Sequence, residues 1–293
     1  MTELHLKVFM ITLLRIYNEG IMAKNEIKIK EKKGKAGEIF FDLVLVFAVC
    51  VCLFAGGNLY QIFAEYKAGT DEYNSIQNTV VVEREAGIEE VTRISGDVPK
   101  KKWKAPIDVD FTKLKEINTD VCGWIYAEAI PEISYPIVQG KDNEYYLHRT
   151  YEKNDNFAGS IFIDCDNNSD FNNCNTIIYG HNMKNGSMFG RLSEFKNRET
   201  YQKSKYIWIL TPEETYKYEI FSAYVTPIKT ETYTLIKGPG EEQKAYAEKM
   251  RALSEIDTER KTFDIRDKII TLSTCTGNEN TRYVVQAVQI VPG

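Results

Sequence analysis

Histidine and cysteine are both scarce: the 293-residue chain holds three of the first and six of the second. With only His5, His148 and His181 available, a histidine-rich metal centre is excluded, and no metal ligation is expected. The cysteines are neither dense nor regularly spaced and no CxxC occurs, which argues against a disulfide framework. Excess positive charge is lacking as well. The formal net charge is -5 and no concentrated basic face follows residue 36, so nucleic-acid binding, which needs such a face, is excluded. Internal repeats and low-complexity tracts are absent. With 43% hydrophobic residues at this length, one good-sized core with appended segments is expected.

Against that background one long apolar run is present, Ile39 to Ala64, IFFDLVLVFAVCVCLFAGGNLYQIFA, with Asp42 as its only charge. Its 26 residues exceed the roughly 20 needed to cross a hydrocarbon core. Asp42 sits one turn inside the start, within reach of the headgroups, so its cost is modest. Cys50 and Cys52 in this run read as small hydrophobes. A signal peptide would be shorter and end in small residues, whereas this run continues through Leu59, Tyr60, Ile62 and Phe63, so an uncleaved transmembrane anchor at 39–64 is expected. Lys24, Lys28, Lys30, Lys32, Lys33 and Lys35 precede the run, while residues 65–100 hold eight acids against four bases. The lysine-rich side stays cytoplasmic, which places the C-terminal bulk outside the cell. Residues 1–38 form the cytoplasmic segment; the apolar stretch in 1–21 is too short to span, and Met22 is read as the start in vivo.

Between residues 65 and 105 the composition turns polar and charged, as in a stalk, with helix near the membrane. From residue 106 to 293 the pattern becomes short β-rich runs between turn signals: GWIYA, ISYPIVQ, AGSIFID, NTIIYG, KYIWILT, TYKYEIFSAYVT, KIITLSTC and RYVVQAVQIV. Eight such runs imply a mainly β domain built as an eight-stranded barrel, closed or nearly closed. Helical material is expected within it at about Asp110–Ile117, Ser187–Arg198 and Gly240–Ile256.

Cys275 ends the run KIITLSTC and precedes the polar turn TGNENT. A cysteine at a strand end is held by a rigid sheet yet reachable at the rim, which suits a nucleophile toward a peptide carbonyl. A structural barrel cysteine is the alternative if it stands alone. His181 follows NTIIYG at another strand end, and imidazole near neutral pH can supply the proton a departing amine needs. Alone it would be an ordinary surface histidine. Arg282 opens the last strand seven residues after Cys275; a short connection returns its guanidinium to the same rim, where it stabilises an oxyanion and favours a thiolate. The alternative there is an arginine paired with a surface carboxylate.

The segments NTIIYGHNMKNGSMFG, TLSTC and the following arginine resemble the three active-site signatures of sortases. EINTDVCGWIYAEA, YPIVQGKDNEYYLHRTYEKNDNFAGSIFIDCDNNSDF and the helix near 240–256 are similar to class B of that family, so the resemblance spans 106–293. It implies a sortase-type β-barrel that cleaves a C-terminal sorting motif after its threonine, of the NPQTN kind, and holds the acyl group as a thioester on Cys275. His181 is then the acid/base partner and Arg282 the oxyanion stabiliser. A peptidoglycan precursor or cross-bridge amine resolves the thioester and joins a surface protein to the wall. No cofactor is implied. Tyr179, Ser273 and Thr274 are expected to line the cleft, Asn143 and Leu147 to contact the sorting peptide, and Tyr233 to lie beside it. Two departures from the class are noted. Cys165 and Asp166 replace its usual aromatic or basic residues, with Cys165 and Cys174 read as free thiols and a disulfide between them as the alternative. The connection from Cys275 to Arg282 is also short. A cysteine peptidase that releases the acyl group to water shares the first half-reaction and stays open, as does an inactive β-domain that only binds wall components.

Overall fold

The structure, a computed structural model, describes residue 15 and residues 35–91 and 100–292. The expectations for residues 1–21, for Met22, for His5 and for Lys24, Lys28, Lys30, Lys32 and Lys33 fall outside these. Two compact units are present, one up to Gln61 and one from Ile62 to the C-terminus. Helix α1, Lys35–Val80, runs through both. In the first unit its apolar side chains from Ile39 on are exposed, and it is the one helix among the described residues long and apolar enough to cross a membrane.

In the second unit α1 behaves differently, because Tyr66, Gly69, Tyr73, Ile76 and Val80 repeat at helical spacing and form a buried or half-buried stripe. Tyr73 sets its ring edge-on to Tyr135 at 5.5 Å. After α1 come β1 (Val81–Glu83), β2 (Gly87–Val91), β3 (Lys100–Lys104) and β4 (Ile107–Val109). β1 pairs with β4, and β2 with β3, both antiparallel. Trp103 fastens the β2–β3 pair to the barrel: its ring meets Trp208 edge-on at 6.1 Å and its Nε1–H donates to the carbonyl of Ile290 at 2.8 Å. Of the segment read as a stalk, residues 65–80 belong to α1, and β1 to β3 supply further described residues of the second unit. Its polar composition concealed the apolar stripe.

α2 (Phe111–Ile117) is capped by Asp110, whose carboxylate accepts from the backbone N–H of Thr112 and Lys113. The barrel then follows: β5 (Val121–Ala127), β6 (Ser134–Val138), β7 (Ile161–Ile163), β8 (Asn175–Tyr179), β9 (Tyr206–Leu210), β10 (Thr215–Pro227), β11 (Ile269–Cys275) and β12 (Thr281–Ile290). The neighbours run β10-β12-β11-β8-β7-β6-β5-β9, and β9 pairs back with β10 to close the ring. All eight sequence runs became barrel strands. β8–β11 and β6–β7 are parallel and the remaining pairs antiparallel. Phe221 is the extra residue of a bulge in β10, which turns its ring onto Phe263 at 4.9 Å.

The helical material expected at about Ser187–Arg198 takes the form of a short 3-10 turn at Leu192–Lys196 followed by α3 at Arg198–Lys203. Asn197 adopts an extended conformation between them and breaks the run. α4 spans Glu241–Ala252 and buries Gln243, Tyr246, Ala247 and Met250 at helical spacing. Two apolar clusters result. One fills the barrel and includes Ile270, Leu272, Tyr283, Val285 and Ala287; the other lies under α4 and includes Ile269, Val284, Val288, Tyr246 and Met250. Alternate residues of β11 and β12 thus serve different cores, which is why these strands read as nearly continuous apolar runs. Gln286 ties the layers: its Nε2 donates to the Tyr246 hydroxyl at 2.8 Å and to Thr271 Oγ1 at 2.9 Å.

Candidate active site

Three neighbouring strands, β8, β11 and β12, end on one rim of the barrel. Cys275 is the last residue of β11 and lies directly opposite Arg282 of β12 in the antiparallel register. Opposed residues share a face with Cβ atoms roughly 4.5–5.5 Å apart, so the two side chains leave the sheet side by side on its α4 face. The short connection makes this possible: Gly277 at φ +91°, an Asn278 carboxamide accepting from Asn280 N–H, and a Thr281 N–H donating to the Asn278 carbonyl close a tight turn. The guanidinium is seated by that turn, its Nη1 donating to the carbonyls of Glu279 and Thr281 at 2.9 Å each.

On the other flank of β11, β8 runs parallel with Tyr179 level with Ser273, and the Gly180 N–H donates to the Ser273 carbonyl. His181 follows, at the foot of a loop closed by the bridge between Asn182 and Met188. Asn182 Nδ2 donates to the carbonyl of Cys275 at 2.7 Å, which locks the histidine loop to the end of the cysteine strand. His181 Nε2 lies 2.7 Å from the carbonyl oxygen of Leu147. Burial pulls the imidazole below its ordinary range; the Leu147 carbonyl opposes this, while His148 and Arg282 add to it. Gly159, at φ +56°, permits the arrangement: a Cβ there would meet the Leu147 oxygen at 2.6 Å and the His181 ring at 3.0 Å.

The family model for the Sortase domain matches residues 125–290. Sortase B of Listeria monocytogenes is 31% identical over 230 residues, which is 77% of this chain and 90% of that relative. The chain belongs to the sortase family, in class B. Solved structures agree: sortase B from B. anthracis superposes with a TM-score of 0.62 at 33% identity, covering 78% of this chain and all of that one. Clostridium perfringens sortase B gives 0.58 at 34% identity, covering 62% and 100%.

Within this sortase barrel most of the remaining residues expected at the cleft form one connected chain. Asn143 Nδ2 donates to Asp164 Oδ2 at 3.0 Å, and the Tyr179 hydroxyl donates to the same oxygen at 2.8 Å. Tyr179 stacks on Tyr233 with ring centroids 6.5 Å apart. The Tyr233 hydroxyl meets Ser273 Oγ at 2.9 Å, two residues before Cys275 on the same face. Burial pushes the Tyr233 phenol up, and its bond to Ser273 opposes this. Leu147 contributes its carbonyl to His181. Thr274 differs from expectation. The pleat turns it to the opposite face from Cys275, with Ile270 and Leu272 of the barrel interior, where it is buried and its hydroxyl has no partner among the described residues. Asp164 and Tyr73 were not singled out from the sequence, although the first lies in a quoted family-like segment and the second in a stripe at helical spacing; the fold reveals their contacts.

Cys165 and Cys174 are free, the first half-exposed and the second buried. Among the described residues, Asp164, Cys165 and Asp166 are the donors close enough to share a cation. Both Asp164 oxygens, however, are already occupied by Asn143, Tyr179 and the Asp166 N–H.

Proposed function

We propose that the chain is a membrane-anchored cysteine transpeptidase whose catalytic unit lies outside the cell and whose N-terminus is cytoplasmic. It cleaves a C-terminal sorting motif after threonine and passes the protein to a peptidoglycan amine. The observation that carries this reading is the opposition of Cys275 and Arg282 across β11 and β12, with His181 locked to the same strand end.

The proposed steps are these. With Nε2–H committed to Leu147, the Nδ1 lone pair of the neutral imidazole takes the thiol proton. The Cys275 sulfur then attacks the threonine carbonyl carbon, and the electron pair moves onto its oxygen beside Arg282. When the intermediate collapses, the C–N bond breaks and the imidazolium proton leaves with the amine. An acceptor amine attacks the resulting thioester, forms a new amide bond and restores the thiol.

Full-length protein in detergent, given a sorting peptide with and without a wall-peptide amine, tests the reading by mass spectrometry. A ligated peptide formed only with the amine, and a thioester mapping to Cys275, are expected. Hydrolysis alone at every amine concentration would make it a peptidase, and turnover by Cys275→Ala would remove the mechanism altogether.

A further inference from the structure

Asp164 follows β7 directly and is only 7% exposed. A buried carboxylate is costly unless it is paired or fully hydrogen-bonded. No ion pair to it exists among the described residues, so its three donors hold it: the Asp166 N–H at 3.0 Å on Oδ1, and the Tyr179 hydroxyl and the Asn143 amide on Oδ2. Its own N–H donates to the Ile177 carbonyl, and its carbonyl accepts from Gln139 Nε2, so the residue is fixed by its main chain as well.

The two side chains it holds come from different elements. Tyr179 ends β8, two residues before His181. Asn143 lies in the loop that carries Leu147, and its second polar atom accepts from the Cys165 N–H at 2.8 Å, so the orientation of the amide is determined. Burial and the Asp164 carboxylate together hold the Tyr179 phenol far above its ordinary range, which keeps it protonated and donating.

We propose that Asp164 is a positioning residue of the peptide subsite, holding Asn143 and Tyr179 in one arrangement against the rim that carries Cys275. This rests on the reading of the site as a peptide transpeptidase. Asp164 touches neither the peptide nor Cys275; it acts through the two side chains it orients, and hence on peptide affinity. Asp164→Asn keeps the shape but replaces one acceptor with an N–H₂ that must face donors on one side or the other.

The test uses full-length protein in detergent and three readouts: KM and kcat for acyl transfer from a sorting peptide, the rate at which a methanethiosulfonate modifies Cys275, and the ¹³Cζ resonance of Tyr179. Asp164→Asn should raise KM by about tenfold or more, as loss of hydrogen bonds to a charged group would. It should shift the Tyr179 resonance and leave the modification rate within about twofold of the unaltered chain, because the small reagent needs no peptide subsite. Tyr179→Phe, which removes one hydroxyl, should raise KM in the same direction, and it carries the test if Asp164→Asn does not fold. An unaltered chain that forms no acyl adduct with any sorting peptide overturns the transpeptidase reading and the subsite with it. An active unaltered chain whose KM is unchanged by Asp164→Asn or by Tyr179→Phe overturns the role of Asp164 alone.

Discussion

The Nε2 of His181 lies 2.7 Å from the carbonyl oxygen of Leu147, and since a carbonyl can only accept, that nitrogen carries the proton. In the neutral ring Nδ1 is then the basic nitrogen. Leu147 was expected as a peptide contact; the structure gives its main chain a second task, setting the tautomer of the histidine.

Because burial lowers the His181 pKa from its ordinary 6.5, the unfolded chain binds more protons than the folded one just below that pH. Stability therefore rises with pH through this window, and the penalty grows as pH falls through about 6.5 toward the lowered folded value. A His181→Gln variant should show a shallower fall in Tm than the unaltered chain between about pH 7 and about pH 5. A parallel decline in the two proteins would count against a buried, neutral His181.

His148 is exposed, and its charge depresses the ionisation of His181 from nearby. Changing His148→Ala should keep most of the activity and move the acid limb of the pH–rate profile upward, by well under one unit for so exposed a charge. His181→Ala should lose nearly all activity. Rates measured across pH would expose the opposite ranking.

Cys122 and Cys174 are pushed up as thiols chiefly by burial, and Cys165 by desolvation and by the carboxylates of Asp164 and Asp166. A thiosulfonate or vinyl-sulfone probe near neutral pH should therefore mark Cys275 ahead of these three. Peptide mapping of the adduct checks this, and dominant labelling of Cys165 would refute it.

Arg282 offers its guanidinium through a turn that engages only Nη1 among the described residues, which leaves the remaining donors directed elsewhere. Arg282→Ala should fold normally and lose roughly 10²–10³ in kcat, as deletion of an oxyanion donor does. Arg282→Lys should recover little, since a single ammonium cannot both bond the two turn carbonyls and present a planar fork. Full rescue by lysine would reduce the group to a point charge.

Removal of residues 1–64 should leave a soluble and active protein, whereas removal through Val80 should not. The longer cut deletes Tyr73, whose hydroxyl donates to the Gly159 carbonyl at 2.7 Å and accepts from the Tyr151 N–H at 3.2 Å. Tyr73→Ala in the intact chain should cost roughly 3–5 kcal/mol, the range for deleting a buried aromatic. Thermal melts of the three proteins decide the matter.

The eight barrel strands were legible because each is a local β-rich run bounded by turn residues, and α4 because its helix formers form a contiguous block. Cys275, His181 and Arg282 could be read from strand ends and from motifs that resemble a family. The stripe at Tyr66, Gly69, Tyr73, Ile76 and Val80 was also present in the sequence, as spacings of three and four, but a polar composition masked it. The helical material expected at about Ser187–Arg198 is split into two short pieces because Asn197 turns out of helical geometry inside that run.

Local pattern thus carries the type of most elements, the long apolar helix and the chemical identity of the rim residues, since each depends on neighbours within a few positions. It does not settle which face of β11 Thr274 takes, which carbonyl receives His181, or which carboxylate holds Tyr179. Leu147 is 34 residues from His181 and Asp164 is 15 from Tyr179, and those partnerships exist only once the strands have registered and the barrel has closed. Backbone groups and buried carboxylates must find partners wherever closure puts them, and closure is a property of the whole ring of strands rather than of any one segment.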